Sequence, residues 1–408
     1  MSFLFYIIIA ILVFQFIVET CLDVLNARHY NDPVPEELND VFDIAEYQKS
    51  QEYKRIRYRF GLVSATFSLL LTLAFLIFGG FEWVDGIVRD ITDNPILMAL
   101  FFFGIIMIGS DIVTTPFSYY STFVIEEKFG FNKTTSGLFF MDKLKGWLVS
   151  GILGGGILAA IIWFYQWAGN YFWVYAWAIV AFFTLFMNLF YSRLIVPLFN
   201  KQSPLEPGSL KTKIEDYAKK VGFELKNIFV IDGSKRSTKA NAYFSGFGKE
   251  KRITLYDTLV KDLDEDEIVA VLAHEVGHYK RRHIIINLAT TILLTGLTLF
   301  ILSLFINNPE ISKAIGVTRP SFHAALIGFG ILYSPISEVT GLIMNYFSRK
   351  FEYEADDYAK NTFAPSPLIS SLKKLSSNNL SNLTPHPAYV FMHYSHPTLI
   401  DRIKNLRA

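Results

Sequence analysis

Residues 271–283 read VLAHEVGHYKRRH and set two imidazoles four positions apart, with a carboxylate beside the first: His274, Glu275 and His278. Residues four apart share one face of a helix, so both rings can reach a single metal ion. Glu275, one position on, can reach a water at that ion and accept its proton. That chemistry is metal-assisted peptide hydrolysis. Zinc suits these donors, and a catalytic zinc takes three protein ligands and keeps a fourth position open. A bare His-Glu-x-x-His string also arises by chance. Here it lies on a helical pattern whose apolar face holds Ile268, Val269, Val271 and Leu272.

A third ligand is needed. His283 lies nine residues past His274, where the metzincin pattern places its third histidine ten residues on, after a glycine turn. Arg281 and Arg282 precede His283 and an apolar run follows it, which gives it an interfacial role. Residues 348–360, SRKFEYEADDYAK, carry Glu352 and Asp356 one helical turn apart. Glu352 can bind the ion while Asp356 accepts the second N–H of a ligating histidine and fixes its tautomer. Glu354, the rival, points about 200° around the helix from Glu352. Taken alone, the same stretch also reads as a charged, solvated helix face.

The elements that must position these groups belong to a membrane protein. Of 408 residues, 51% are hydrophobic, 16% aromatic and 18% charged, with a mean hydropathy of +0.31. Soluble domains carry about 25% charged residues. A formal net charge of +1 without a long basic block gives no support to a nucleic-acid partner. The single cysteine, Cys21, can form no intrachain disulfide. The N-terminal SFLFYIIIAILVFQFIV lacks a basic leader and a cleavage site, so it reads as a retained span.

Seven apolar stretches approach the roughly 20 residues that a span requires: about 3–20, 61–80, 95–117, 146–167, 171–193, 284–306 and 324–347. The last is interrupted by Pro335, Glu338 and Asn345, and the fourth holds Gly154, Gly155 and Gly156, which permit close backbone approach. Asp111 and Glu338 fall inside spans; they face a polar cavity, pair with each other, or lie shallower than drawn. Arg28, Lys49, Lys54, Arg55, Arg57 and Arg59 follow the first span, and Lys128, Lys133, Lys143 and Lys145 the third. Glu82, Asp85, Asp90 and Asp93 follow the second. This charge bias puts the N-terminus outside and the hydrophilic segments in the cytosol. Two spans then separate His278 from Glu352, so both lie on one side and can meet.

The chain divides into 1–193, five spans with their loops; 194–283, a cytosolic zinc-peptidase domain; 284–347, spans six and seven; and 348–408, the rest of the peptidase domain with Glu352. Within the second part, GSLKTKIEDYAKKVGF predicts an amphipathic helix ending at Gly222. NIFVID, ANAYFSGFG and KRITLYDTL predict short strands. DEDEIVAVLAHEVGHYKRR predicts the metal helix, acidic in its first turn and basic in its last, as the helix dipole favours.

Five segments in this order resemble the type I CaaX prenyl proteases, integral-membrane zinc metalloproteases: VIEEKFGFNKTT (124–135), ANAYFSGFGKEKRITLYDTL (240–259), LAHEVGHYK (272–280), SRKFEYEAD (348–356) and HYSHPTLIDRI (393–403). The resemblance implies a mainly α membrane protein in which seven transmembrane helices enclose a chamber. A cytosolic α+β, gluzincin-like metalloprotease domain with one Zn2+ per chain caps it. The metal helix would abut the membrane because its substrate arrives from there. The resemblance also implies roles for Asn241 and Ala242 as the strand edge that holds substrate backbone. It implies that His396 and Arg402 stand near the metal and stabilise an oxyanion. Alone, Asn241 is an ordinary turn residue and His396 a surface histidine before Pro397. His386 and His393 are left as structural. The implied partners are the lipid bilayer and a peptide or protein substrate ending in Cys-aliphatic-aliphatic-X with a prenylated Cys; a bacterial inner membrane and the ER membrane both fit.

Two other readings stay open. A membrane quality-control metalloprotease would use the same site without a prenyl requirement. A transporter or channel with a structural zinc is disfavoured, because structural zinc is usually closed by four ligands, often Cys, and no repeated halves are evident.

Overall fold

The computed structural model describes residues 2–41, 43–225, 227–245 and 252–408. Among them, six helical segments are long and apolar enough to cross a membrane: Phe3–Asn31, Ile44–Ile77, Pro95–Glu126, Ser136–Phe199, His283–Phe305 and Phe322–Thr362. The fourth contains two long helices, Ser136–Ala168 and Phe172–Leu194, joined by the short turn Gly169–Tyr171, and ends in the one-turn helix Val196–Phe199. Only 6% to 11% of each apolar window is buried by protein. The rest is at least partly exposed, as in helices that face lipid or a cavity.

The helices begin where a side chain can take an orphan amide. Ser2, Asp43, Asn94, Thr135 and Ser321 each accept from a first-turn N–H. Two boundaries differ from the apolar pattern. Lys49, Lys54, Arg55, Arg57 and Arg59, expected in a loop, ride on the helix Ile44–Ile77. The helix that carries the last apolar stretch runs on past 347, because Phe322–Thr362 is one 41-residue helix with Pro335 inside it. It therefore carries Glu338, Glu352 and Asp356 on a single rod.

Asp111 and Glu338 do not pair with each other. Asp111 accepts from Lys143 Nζ at 2.8 and 3.0 Å and from Trp147 Nε1 at 3.0 Å. Glu338 accepts from Gln15 at 2.6 Å.

The hydrophilic part forms a four-stranded sheet: β1 (Gln202–Pro204), β2 (Asn227–Ile231), β3 (Ala242–Ser245) and β4 (Arg252–Tyr256), in the order β1-β2-β4-β3. β2 and β4 are parallel and the other pairs antiparallel. β3 is thus an edge strand. Residues 246–248 and 251, included in the expected strands, lie outside the described residues. The helix Ser209–Lys220 ends before Gly222, whose φ of 59° suits glycine. Ile214, Tyr217, Ile253, Leu255, Ile268, Leu272 and Val276 build the core between sheet and helices.

Candidate active site

The metal helix, Glu265–Lys280, starts at a capping box in which the Asp264 and Glu267 side chains exchange backbone bonds. Glu267 is buried and also takes bonds from Ser370 Oγ at 2.6 Å and Lys374 Nζ at 2.8 Å, which tie this end to the C-terminal part. The other end stops at Arg281, and Arg282 adopts a left-handed φ of 63°. The next helix begins at once with His283. The metal helix therefore turns into a membrane helix with almost no loop. Its main packing partner is the rod Phe322–Thr362.

That packing brings His274, His278 and Glu352 together, with one ligand atom from each within 4.8 Å of the others. Glu352 Oε2 lies 3.4 Å from His274 Nε2, and Oε1 lies 3.2 Å from His278 Nε2. The two Nε2 atoms are 3.2 Å apart. On the far side of the first ring, His274 Nδ1 is 2.8 Å from Asp356 Oδ1. Asp356 accepts from Arg402 Nη2 at 2.6 Å and Nε at 2.9 Å. On the far side of the second ring, His278 Nδ1 is 3.0 Å from His283 Nδ1, and His283 Nε2 is 3.1 Å from Glu354 Oε2.

These contacts fit a metal ion. With the His274 proton on Nδ1 toward Asp356, and the His278 proton on Nδ1 toward His283, both Nε2 lone pairs face Glu352. Such facing acceptors repel unless a cation lies among them. Glu352 Oε2 is buried and has no hydrogen-bond partner among the described residues. Two imidazoles and a carboxylate are also a donor set that zinc takes. Without a metal, burial and the Arg402 charge push the His274 pKa down, but Asp356 and Glu352 outweigh them and raise it to about 9.

His274, Glu275, His278 and Glu352 line a cleft of about 710 Å³ together with Asn241, Ala242, His396 and Arg402. Asn241 Oδ1 accepts from the Ala242 N–H at 2.8 Å, so the edge caps itself. His396 Nε2 lies 3.3 Å from Glu352 Oε1, and its side chain is 62% exposed, open to the cleft. The Arg402 side chain is only 11% exposed, spends two bonds on Asp356, and approaches Glu352 to 3.6 Å. His386 caps the helix Pro387–His393, and His393 lies 3.2 Å from Glu19.

The sequence reasoning missed the backing of His278. His283, expected at an interface, is 1% exposed and stacks on Phe351 at 4.2 Å. Glu354, weighed only as a rival ligand, is its partner. Only the spacing hints at this pair, a histidine five residues past His278 and a carboxylate two past Glu352, and it does not separate burial from a place at a membrane surface.

The comparisons with known proteins agree over the whole length. Residues 23–201 match the model for the CAAX prenyl protease N-terminal region with five membrane helices, and residues 204–408 match peptidase family M48. The chain belongs to the CaaX prenyl protease family. It is 37% identical to CAAX prenyl protease 1 homolog of Oryza sativa subsp. japonica, covering 98% of this chain and 96% of the relative. The human homolog is 32% identical, covering 98% and 94%. CAAX prenyl protease 1 of Saccharomyces cerevisiae is 35% identical, covering 91% and 88%. The crystal structure of S. mikatae Ste24p is similar with a TM-score of 0.94 at 34% identity, covering 100% of this chain and 99% of that one. As a member of this family the chain is a metalloendopeptidase and an integral, multi-pass membrane protein.

Proposed function

We propose that this enzyme removes the last three residues from proteins ending in Cys-aliphatic-aliphatic-X with a prenylated Cys, using one zinc ion held by His274, His278 and Glu352. The observation that carries this is the convergence of those three side chains in a cleft that also holds the edge residues Asn241 and Ala242. Bound there, zinc supplies Lewis acidity toward a water and the scissile carbonyl. Glu275 takes the proton of the attacking water and passes it to the leaving amine. His396, exposed in the cleft, donates toward the carbonyl oxygen as negative charge develops. Arg402 acts at one remove, holding Asp356 so that Asp356 fixes the His274 ring. Substrate adds to the β3 edge as an extended strand, met by Asn241 and Ala242.

The same reading takes the hairpin 136–199 as two spans, giving seven in all, with the cleft on the cytosolic side. The polar contacts Asp111–Lys143–Trp147 and Gln15–Glu338 then border a wet chamber between the spans. The soluble peptidase parts are 194–283 and 348–408.

The test is cleavage of a prenylated CaaX peptide and its unprenylated twin by metal-loaded protein, with and without chelator. Loss of the last three residues from the prenylated peptide, abolished by chelator, is expected. Equal cleavage of the twin would favour quality-control proteolysis, and no cleavage of either would refute the reading.

A further inference from the structure

The edge strand that would receive substrate is anchored from the membrane side. Just ahead of Ala240 the backbone is already paired: Lys133 N donates to Arg236 O at 3.0 Å and Thr238 N to Phe131 O at 3.1 Å. Asn132 and Ser237 form an antiparallel bridge, and Thr134 Oγ1 adds a bond to Arg236 O at 3.2 Å. Residues 131–134 belong to the connection between the segments Pro95–Glu126 and Ser136–Phe199.

Two side-chain clamps flank this pairing. Arg236 grips Asp142 through Nε to Oδ2 at 2.7 Å and Nη2 to Oδ1 at 2.9 Å, and Nη2 also donates to Phe199 O at 2.9 Å. Such a fork fixes orientation as well as distance. Lys239 Nζ donates to Glu126 Oε2 at 3.0 Å and to Tyr53 Oη at 3.1 Å, and lies 4.4 Å from the centre of the Phe131 ring. Tyr53 Oη donates in turn to Glu126 Oε1 at 2.6 Å. Carboxylates on two membrane helices thus hold both ends of residues 236–239, which lead directly into the cleft residues Ala240, Asn241 and Ala242.

The opposite side of this stretch is also taken. Tyr256 N donates to Asn241 O at 3.0 Å and Thr258 Oγ1 to Lys239 O at 3.2 Å. Residues 131–133 end the open edge at Thr238, so an added strand has backbone to pair with only from there toward β3. Where pairing can begin sets register, and a slip of two residues moves every peptide bond by about 7 Å. The metal ligands sit on helices and cannot follow such a slip.

We propose that the connection 131–134, together with the flanking clamps Asp142–Arg236 and Glu126–Lys239, positions the substrate-binding edge and so fixes which peptide bond is cut. This rests on the function proposed above. The four clamp residues are positioning residues, acting through Asn241 and Ala242.

The test uses the full chain with Arg236→Ala, Asp142→Asn, Lys239→Met and the exchange pair Glu126→Lys with Lys239→Glu. Metal content and thermal transition are measured first, then KM, kcat and product masses on a prenylated CaaX peptide. The expected result is metal-loaded protein with a raised KM, kcat/KM lower by about tenfold to a hundredfold, and products cut one or two residues from the wild-type site. The exchange pair should restore part of the single product. Unchanged KM with one product overturns the proposal, as does a fall in kcat alone with the product unchanged. Lys239 is 37% exposed, so if Arg236→Ala does not fold, Lys239→Met against Lys239→Arg decides: Met should scatter the products and Arg should not. Wild type that leaves the prenylated peptide intact sinks the function reading instead. The clamp is then judged by backbone hydrogen exchange at 237–242, which Lys239→Met should accelerate and which, unchanged, overturns it.

Discussion

Gly277, between the two histidines of the metal helix, lies against the backbone of Ala355: a Cβ at Gly277 would stand 3.0 Å from the Ala355 carbonyl oxygen and 3.1 Å from its Cα. The missing side chain lets the helix bearing His274 and His278 approach the helix bearing Glu352. Gly277→Ala should force the helices apart, costing about 1–3 kcal/mol of stability, and weaken metal binding. A thermal melt and a zinc-retention assay check this; a variant that melts and retains zinc as wild type does would show that the contact is slack.

Asp356 and His283 back the two imidazoles from opposite sides, at 2.8 Å and 3.0 Å. Asp356→Ala and His283→Leu should each weaken zinc binding by about 10- to 100-fold, read by competition with a chelator of known affinity. Equal affinity in the His283 variant would reduce that residue to packing.

Glu275 carries no ligand atom in the cluster, so Glu275→Gln should keep the metal. Turnover should fall by at least about 10²- to 10⁴-fold, the scale of general acid–base catalysis. Metal analysis beside a peptide-cleavage assay separates the two effects, and an active Gln variant would remove Glu275 from the proton path.

The His274 pKa of about 9 in the metal-free site lies above its ordinary 6.5. A raised histidine contributes stability that is fully present below the unfolded value and is lost as pH rises through the folded one. Chelated protein should therefore lose thermal stability between about pH 6.5 and 9. Zinc-loaded protein, whose ligand rings are neutral, should lack that loss. Melting both forms across this range checks the prediction; parallel curves would contradict it.

The metal helix is legible in sequence because its information is local: a cap at Asp264, an apolar face, and two histidines one turn apart. That Glu352 can meet the two histidines becomes legible once the apolar stretches 284–306 and 324–347 are counted as spans, since two crossings would return the chain to the same side. The backing of His278 is not, because His283 follows two arginines and opens an apolar run, as a residue at a membrane surface would. Its burial depends on the left-handed turn at Arg282, which no pattern announces. The strand β1 has three residues and ends at Pro204, too short for alternation to show. The Asp142–Arg236 clamp joins residues 94 apart in sequence, and either residue alone reads as an ordinary surface charge.

The most direct measurement is an anomalous difference map at the zinc edge from crystals of metal-loaded protein. One peak should lie about 2.0–2.2 Å from His274 Nε2, His278 Nε2 and a Glu352 oxygen. A peak elsewhere, or none among these three side chains, would contradict the metal centre on which the proposed hydrolysis depends.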